Sequence, residues 1–438
     1  MENKSPEQIR EYMHENNILL KVEGLKQYFK MGHKELRAVD DVSFEVKKGE
    51  VFGIVGESGC GKTTTGRSII RLYDITGGSV YFEGQRIAAG TRTYKDELKA
   101  VRAEYSAEYK KLKKRAEECK KSGDTQAEAQ CFEDIAALKD KFDAKAAEIM
   151  AEIRSAKYDH THCNSQYAQE QCKLVDEKFR PLIDAADESS RAELEKQYKA
   201  ELRLARNDRI MNKIQMIFQD PIASLNPRMT VREIISEGLI IRGIRDKKYI
   251  DEQVYKVLNL VGLVPEHAGR YPHEFSGGQR QRIGIARSII LNPDLIIADE
   301  PISALGVSIQ AQVINLLNDL RDSLGLTIIF IAHDLSVVKY FSDRIAVMYF
   351  GKIVELTTSD ELFAHPLHPY TKSLLSAIPL PDPHFERKRK RIIYNPIAEH
   401  DYSVDKPQMR EVKPGHFIYC NNAEFERYRA ELEGGKTE

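Results

Sequence analysis

A glycine-rich loop between a predicted strand and a predicted helix constrains this chain more than any other feature. The apolar run Val51–Val55 predicts a buried strand, and the residues from Thr64 onward predict a helix. The loop fits the pattern G-x-x-x-x-G-K-[ST] and consists of Gly56, Glu57, Ser58, Gly59, Cys60, Gly61, Lys62 and Thr63. Glycines let several backbone N–H groups face one anion, and the helix N-terminus adds partial positive charge. The loop therefore predicts a site for the phosphates of a nucleotide.

Three residues at the end of the loop have roles that follow from their chemistry. Lys62 is placed to reach the β- and γ-phosphates of ATP, and the Thr63 hydroxyl to ligate Mg²⁺. Thr64, which opens the helix, belongs to the same predicted ATP site. The alternative is a chance glycine turn with a solvated lysine. The strand before the loop and the helix after it favour the phosphate site.

Two adjacent carboxylates follow a second apolar run, Leu295–Ala298, and are Asp299 and Glu300. Ligands of α/β folds bind at the carboxyl ends of the strands. Asp299 is therefore expected to hold Mg²⁺ and Glu300 to polarise the attacking water. The alternative, solvated acids after a core strand, is less favoured beside a phosphate loop.

The order of predicted elements indicates an α/β fold with a mainly parallel sheet. Strands and helices alternate over residues 17–98 and 207–384, which we interpret as one nucleotide-binding domain. Residues 99–206 are highly charged, with apolar residues at helical spacing, and predict an inserted helical hairpin or three-helix bundle. Such an insertion would turn at 122–124 and bury Phe132, Phe142, Ile149 and Leu194. Residues 385–438 form a tail without a clear core pattern.

Composition narrows the classes of function. The chain has 66 Lys and Arg against 67 Asp and Glu, so no excess of basic residues suggests a nucleic-acid partner. The six cysteines are scattered without a paired framework, as in a reducing compartment. The polar N-terminus offers no signal-peptide core, and the longest apolar runs, such as 327–332, fall far short of a membrane span. We therefore expect a protein that reaches a membrane only through partners.

A further motif separates this chain from other nucleotide-binding proteins. The sequence FSGGQ at 275–279 lies upstream of Asp299 and leads into a predicted helix, where a hydroxyl and bare amides face an anion. It resembles the signature motif of ABC transporter ATPases, usually LSGGQ. The resemblance implies that four residues act on the γ-phosphate of ATP held by the opposite subunit: Ser276, Gly277, Gly278 and Gln279. By itself the motif would also fit an ordinary capped helix.

Three more residues match this family. Gln219 resembles the Q-loop glutamine that contacts Mg²⁺ and reports to the membrane subunit. His333, after a third apolar run, resembles the switch histidine that contacts the γ-phosphate, although a lone histidine is more often structural. Phe29, or alternatively Tyr28, matches the aromatic residue that stacks on adenine, and either would also serve as core filling.

Within this family, the sequence resembles the ATP-binding subunits of oligopeptide and dipeptide importers. The similar stretches are GESGCGK (56–62), IFQDPIASLNPRMTV (217–231), FSGGQRQRIGIAR (275–287), IAHDLSVV (331–338) and HPLHPYTKSLLSAIP (365–379). The resemblance implies an ABC ATPase fold with an antiparallel β portion and a helical portion, which binds ATP and Mg²⁺ and hydrolyses ATP to power peptide import. It also implies a heterodimer with a second ATPase, two membrane permeases, an extracytoplasmic peptide-binding protein, and a peripheral place on the cytoplasmic face of the membrane.

The chain departs from that family at several places. Gly306 follows Ser303–Leu305, where the family usually has Asp in its D-loop, which puts communication between the two composite sites in question. Some relatives have a C-terminal cysteine cluster, but here Cys420 stands without companions, and one thiolate cannot hold an iron–sulfur cluster, so none is expected. The segment Asp159–Cys163 has metal-ligand residue types at no zinc spacing, and a solvated interhelical loop is the expected structure.

Other functions remain open at this point. A soluble ABC ATPase of translation would have two ATPase halves in one chain, whereas this sequence has one phosphate loop and one signature motif. A repair ATPase would have a very long coiled coil, and the insertion at 99–206 is too short for one. A regulatory nucleotide-binding subunit with a weakened composite site is favoured by Gly306 and disfavoured by Glu300 and His333. An importer subunit for another substrate, such as a metal chelate, is the remaining alternative.

Overall fold

The computed structural model describes residues 6–378 and 391–434. The strands are β1 (Ile18–Met31), β2 (Lys34–Lys47), β3 (Val51–Val55), β4 (Gly77–Phe82), β5 (Gln85–Ala89), β6 (Ile214–Ile217), β7 (Leu295–Asp299), β8 (Thr327–Ala332), β9 (Arg344–Tyr349), β10 (Lys352–Thr358), β11 (Gln408–Lys413) and β12 (His416–Cys420). They form a four-stranded sheet in the order β2-β1-β4-β5 and an eight-stranded sheet in the order β11-β12-β10-β9-β3-β8-β7-β6.

Helices surround these sheets and form a separate projection. They are α1 (Pro6–Glu15), α2 (Lys62–Ile69), α3 (Arg92–Ser122), α4 (Thr125–Asp184), α5 (Glu188–Arg206), α6 (Pro221–Ser224), α7 (Val231–Ile241), α8 (Lys247–Leu260), α9 (Gly277–Ile289), α10 (Val307–Leu324), α11 (Leu335–Phe341), α12 (Ser359–Ala364), α13 (Pro369–Ser376), α14 (Pro396–Glu399) and α15 (Asn422–Gly434). Short 3₁₀ turns lie at Ile210–Lys213, Pro265–Gly269 and Pro272–Glu274. Within the described residues, no helix is both long enough and apolar enough to span a membrane.

The centre of the large sheet is parallel, which brings the ends of its strands to one edge. Strand β3 pairs in parallel with β8 and β9, and β7 pairs in parallel with β8 and β6. The four residues before Asp299 on β7 are apolar and fully buried, as continuous apolar runs in parallel sheets require. The loops after β3, β6, β7 and β8 therefore meet at one edge, and these loops contain the predicted site residues.

The small antiparallel sheet covers one face of the large sheet. Its apolar side chains share a core with the central strands, and Phe44 of β2 stacks on Phe52 of β3 with ring centroids 4.9 Å apart. A second core lies on the opposite face, where α7 to α11 pack on the sheet. The predicted α/β class, with a mainly parallel sheet, an antiparallel portion and a helical portion, is confirmed.

The predicted insertion is a three-helix unit, and its first helix begins earlier than expected. Helix α3 starts at Arg92, so the predicted boundary at 99 falls within a helix. The turn at 122–124 is present: Gly123 has φ 77°, and the Asp124 side chain accepts the N–H of Ala127 to cap α4. Of the four residues expected inside, Ile149 is buried, Phe142 and Leu194 are half-buried, and Phe132 is exposed.

The prediction of an unpatterned tail at 385–438 is wrong for its described part. Strand β12 pairs with β10, and β11 with β12, so the hairpin extends the large sheet. Leu367, Ile418, Cys420 and Tyr428 form a small core under α15. These apolar residues are few and become buried only by pairing with an existing strand edge. The domain boundaries as a whole stay a prediction, and residues 379–384 lie outside the described part.

Candidate phosphate site and catalytic carboxylates

The glycine loop between β3 and α2 adopts a conformation that only glycine accommodates at two of its positions. Gly56 has φ 151° and Gly61 has φ 108°. A Cβ atom at Gly56 would lie 2.2 Å from the Met348 carbonyl oxygen, and one at Gly61 would lie 2.3 Å from the Ala38 carbonyl oxygen. Both distances are far below van der Waals contact. The sequence requirement for glycine therefore comes from β9 and β2, which press against the loop from two sides.

Lys62 lies at the start of α2 with its side chain folded back on the loop. Its ammonium donates hydrogen bonds to the carbonyl oxygens of Gly56, at 2.7 Å, and Glu57, at 3.0 Å. The residue is 4% exposed. Because these partners are neutral carbonyls, the ammonium group remains available to attract an anion, and the α2 N-terminus adds a partial positive charge.

Thr63 and Asp299 are in contact, although they are far apart in the chain. The Thr63 hydroxyl donates to Oδ1 of Asp299 at 2.7 Å. Asp299 is fully buried, and its Oδ2 has no hydrogen-bond partner among the described residues. Burial raises the pKa of this carboxyl above its ordinary value, against the opposing effect of the Thr63 hydrogen bond. A buried oxygen without a partner beside a hydroxyl fits Mg²⁺, a cation that prefers oxygen ligands.

Glu300 is the centre of a second group of site residues. Its Oε2 accepts a hydrogen bond from Nε2 of Gln219 at 2.9 Å and lies 3.2 Å from Nδ1 of His333. Its φ is 43°, an unusual value for glutamate, and its N–H donates to the Ile331 carbonyl at 2.9 Å. The backbone therefore turns sharply after β7 and directs this carboxylate toward the residues that follow β6 and β8. The two predicted catalytic residues, Glu300 and His333, are together with Gln219.

The signature motif begins α9 and faces a different part of the molecule. Ser276 caps the helix: its hydroxyl accepts the N–H of Gln279, whose side chain accepts the N–H of Ser276. A Cβ atom at Gly278 would lie 2.7 Å from Cγ2 of Ile309, so the motif packs on α10. The neighbours of the signature glycines thus come from the segment after Glu300, and those of Gly56 and Gly61 from β9 and β2.

The sequence model of the ABC transporter family matches residues 39–173 and 187–303, more than half of the chain. The chain belongs to the ABC transporter family. The matched residues include the phosphate loop, Gln219, the signature motif and both carboxylates, so this ABC protein is an ATPase. A second family model, described as the oligopeptide/dipeptide transporter C-terminal region, matches residues 354–404.

The curated relatives match over nearly their whole length. The chain is 44% identical to the oligopeptide transport ATP-binding protein OppF of Bacillus subtilis (strain 168), covering 94% of this chain and 98% of the relative. It is 40% identical to the oligopeptide transport ATP-binding protein AmiF of Streptococcus pneumoniae, with the same coverage of both chains. It is 39% identical to the dipeptide transport ATP-binding protein DppF of Lactococcus lactis, covering 95% of this chain and 98% of the relative.

The aromatic residues assigned to adenine lie on β1 of this ABC protein. Phe29 is half-buried and meets Tyr73 edge to face, with ring centroids 5.3 Å apart. The Tyr28 hydroxyl donates to Asp40, and burial raises the pKa of that tyrosine. The Phe29 side chain has no polar atom and makes no such hydrogen bond, so its ring is more available for stacking than that of Tyr28. Its stacking role stays a prediction.

The expectation of a solvated loop at Asp159–Cys163 is wrong, because these residues lie inside α4 and dock it on the ATPase domain. Arg86 donates to Asp159 at 2.7 Å. Arg71, just after α2, donates to the His160 carbonyl at 2.8 Å and to the sulfur of Cys163 at 3.1 Å. The residues of this segment with metal-ligand chemistry thus bind Arg71 and Arg86. Burial, together with the charge of Arg71, lowers the pKa of His160.

One contact to the phosphate loop was not foreseen from the sequence. The Glu57 N–H donates to the hydroxyl of Tyr370 at 3.0 Å, although the two residues are 313 positions apart. The stretch HPLHPYT contains this tyrosine and resembles peptide importers. Nothing in the local pattern indicates that its hydroxyl reaches the phosphate loop, because that contact depends on how α13 packs beyond β10.

Proposed function

We propose that this chain is the ATP-binding and ATP-hydrolysing subunit of an ABC importer for oligopeptides or dipeptides. The observation that carries the catalytic part is the position of Glu300, held by Gln219 and His333 next to the Thr63–Asp299 pair. The peptide substrate is supported by the names of the relatives and by the match of residues 354–404 to the peptide-transporter C-terminal region.

The chain's own residues divide the work of phosphoryl transfer to water. The loop amides from Ser58 to Thr64, together with Lys62, bind and orient the β- and γ-phosphates. Thr63 and Asp299, with Gln219 as a further ligand, would hold Mg²⁺, and the bound cation would neutralise charge on the phosphate oxygens. Glu300 accepts a proton from the attacking water, and His333 contacts the γ-phosphate. Phe29 stacks on the adenine ring.

The signature motif serves a nucleotide bound to another subunit. Ser276, Gly277, Gly278 and Gln279 begin α9, where backbone amides face outward with the partial positive charge of the helix N-terminus. The neighbours that a Cβ atom at Gly277 or Gly278 would meet are Leu305 and Ile309, and none belongs to the phosphate loop of the same chain. ATP-driven closure of a heterodimer with a second ABC ATPase would place them on the partner's γ-phosphate. Two permeases, an extracytoplasmic peptide-binding protein and a peripheral place on the cytoplasmic face complete this assembly.

Copurification of the native complex, followed by ATPase measurements, tests this function. The isolated chain should hydrolyse MgATP weakly, gain activity with its partner ATPase, and gain more in vesicles that contain the permeases and a peptide-loaded binding protein. Full, concentration-independent activity of a strict monomer would contradict the composite site. Copurification with permeases that import no peptide would contradict the substrate.

A regulatory role is the second candidate, because Gly306 replaces the usual aspartate of the D-loop. Altering Glu300 in this chain alone, within the assembled complex, separates the two. Unchanged hydrolysis and unchanged transport would assign all turnover to the partner's carboxylate and make this chain regulatory. A drop in hydrolysis would assign turnover to this site.

A further inference from the structure

Helix α13 packs against the outer part of the phosphate loop. Its second residue, Tyr370, is 2% exposed, yet its hydroxyl reaches the backbone of the loop and accepts the N–H of Glu57 at 3.0 Å. Burial raises the pKa of Tyr370, so the hydroxyl stays protonated and neutral at physiological pH. The Glu57 amide is thereby fixed to the protein, and the amides that follow it remain for the phosphates.

A buried carboxylate holds the start of α13 in place. Glu355 of β10 is fully buried and accepts the N–H groups of Leu367, at 2.9 Å, and His368, at 3.0 Å. Its other partner is His416 of β12, whose Nε2 lies 2.8 Å from the same carboxylate. The hairpin β11–β12 therefore takes part in fixing the residues that immediately precede Tyr370.

The link from Glu355 to Tyr370 runs through His368 and depends on a neutral imidazole ring. Burial lowers the pKa of His368 to about 3, so its ring carries no charge. Its Nδ1 accepts the N–H of Tyr370 at 3.1 Å and caps α13. The backbone on either side of the His368–Pro369 step is thus held by hydrogen bonds, which fixes the start of α13 beside the phosphate loop.

Strand β9 supports the same position from the other side. The ring centroids of Tyr349 and Tyr370 are 4.4 Å apart. Tyr349 directly follows Met348, whose carbonyl oxygen packs closely against Gly56. Tyr394 completes the group, with its ring centroid 5.5 Å from that of Tyr370. The entrance of the phosphate loop is therefore enclosed by β9 at Gly56 and by α13 at Glu57.

We propose that Tyr370 is a positioning residue for ATP binding. Its hydroxyl fixes the Glu57 amide, and Glu355 and His416 hold α13 in the position that allows this hydrogen bond. This rests on the ATP-binding function proposed above. By this route the peptide-transporter C-terminal region sets the shape of the phosphate loop. A loop already fixed in its binding conformation loses less conformational entropy when the nucleotide arrives, and this raises affinity.

The first measurement follows the Glu57 amide without nucleotide. Hydrogen exchange is compared in the wild type, in Tyr370→Phe, and in the matched control Tyr394→Phe, whose ring belongs to the same aromatic group. Tyr370→Phe should speed exchange at Glu57 by about tenfold, because the hydrogen bond that closes this site is gone. The control should leave that rate within about twofold. Unchanged exchange in Tyr370→Phe would overturn the proposal.

The second measurement is a MgATP titration of the same three proteins. Tyr370→Phe should raise the dissociation constant about 3- to 10-fold, the usual effect of one lost hydrogen bond, while Tyr394→Phe should match the wild type. Faster exchange with unchanged affinity would overturn the role in ATP binding. A wild type that binds no MgATP would defeat the proposed function, and the exchange rates would still report on the contact.

A second variant decides the matter if Tyr370→Phe does not fold. Glu355→Gln keeps the size of the side chain but replaces one of the two accepting oxygens by an NH₂ donor, so either the Leu367 or the His368 N–H loses its acceptor. It should loosen residues 367–370, speed exchange at Glu57 and weaken MgATP binding. Normal exchange at Glu57 in a folded Glu355→Gln protein would overturn the proposed link.

Discussion

Asp299 and Glu300 are neighbours in the chain with opposite surroundings. Asp299 is fully buried and its carboxylate accepts the Thr63 hydroxyl, whereas Glu300 turns out of the strand toward an amide and an imidazole. Burial alone disfavours the charge on Asp299 until a cation is bound. The two carboxylates are therefore suited to different tasks, one to holding a cation and the other to accepting a proton.

Replacing Asp299 by Asn should separate stability from activity. Because the pKa of Asp299 is raised in the folded protein, ionising this carboxyl costs more free energy in the folded state than in the unfolded state. The wild type therefore loses stability as pH rises from about 3.8 through the raised pKa, and the loss is constant above it. The difference in unfolding free energy, variant minus wild type, should rise over that pH window, while MgATP hydrolysis falls by about 10- to 100-fold or more. Urea unfolding of the nucleotide-free proteins at several pH values measures the first, and a difference that does not rise with pH would contradict it.

Replacing Glu300 by Gln should leave MgATP binding intact and slow hydrolysis by about 100- to 10,000-fold. The amide keeps the size of the side chain and a hydrogen-bonding oxygen but cannot take a proton from water. Single-turnover hydrolysis should be measured in a complex whose partner site is already inactive. Asp322→Asn, an exposed carboxylate at the end of α10, is the matched control and should behave as wild type. Normal turnover in Glu300→Gln would remove this residue from the mechanism.

At the residue level, the sequence was most informative where apolar runs end. The positions of Thr63, Asp299, Glu300 and His333 follow from strand ends, because parallel strands bring those ends to one edge. That Gln219 and His333 share one oxygen of Glu300 depends on the order β8-β7-β6, which periodicity does not determine. The contacts of Arg71 and Arg86 with α4 were missed for a similar reason: their partners lie some 70 to 90 residues away in the chain.

The start of α10 shows how one residue affects a single element. Gly306 occupies its N-cap with φ −67° and ψ 153°, ordinary cap geometry, and provides no side chain for the free N–H groups. A Cβ atom there would meet nothing within 4 Å. The same turn packs Leu305 and Ile309 on the signature glycines, so a change at Gly306 lies beside a surface expected to serve the partner's nucleotide.

Gly306→Asp should stabilise the fold and alter coupled transport. A carboxylate at this cap accepts an N–H of the first turn and lies at the positive end of the helix, which adds a few tenths of a kcal/mol up to about 1 kcal/mol. Thermal unfolding measures this effect, with Gly306→Ala as the control that adds a Cβ without a cap. Transport per ATP should change more than nucleotide affinity. Unchanged transport with an altered MgATP dissociation constant would show that Gly306 does not act across the dimer.

At the element level, the insertion was predicted in kind but not in its attachment. Helical spacing and balanced charge indicate helices, and the Ser-Gly-Asp turn between α3 and α4 was found. Helix α4 has 60 residues, about 90 Å at 1.5 Å per residue, so it passes through the Asp159–Cys163 segment without a break. One stretch of it packs on its own neighbours and another on the ATPase domain. Periodicity shows that an apolar stripe exists but not which partner covers it.

Across the whole molecule, the insertion is divided into a projecting part and a docking part. Tyr105 and Phe142 stack with centroids 4.6 Å apart, which places α3 and the first half of α4 side by side. Cys163 and Tyr167, further along α4, belong to the core shared by the two sheets. The two parts should therefore contribute very differently to stability, although the predicted ATP-site residues all lie outside both.

Two deletions test this division. Replacing residues 109–138 by a short Gly/Ser linker leaves the Tyr105–Phe142 pair and all the docking contacts, so MgATP affinity should equal that of the wild type. Stability should fall only through the lost packing of α3 on α4, which includes the buried Ala116 and Cys131. Replacing residues 100–205 exposes core surface that Tyr167 covers and removes the partners of Arg71 and Arg86, which should lower the unfolding free energy by about 2 kcal/mol or more. MgATP affinity should still be retained at a temperature where that variant is folded, because no predicted nucleotide contact lies between 100 and 205. Calorimetric titration of both variants with MgATP at low temperature measures the affinity.

Weakened binding by the shorter deletion, which keeps the domain contacts intact, would show that the projecting helices take part in the nucleotide site.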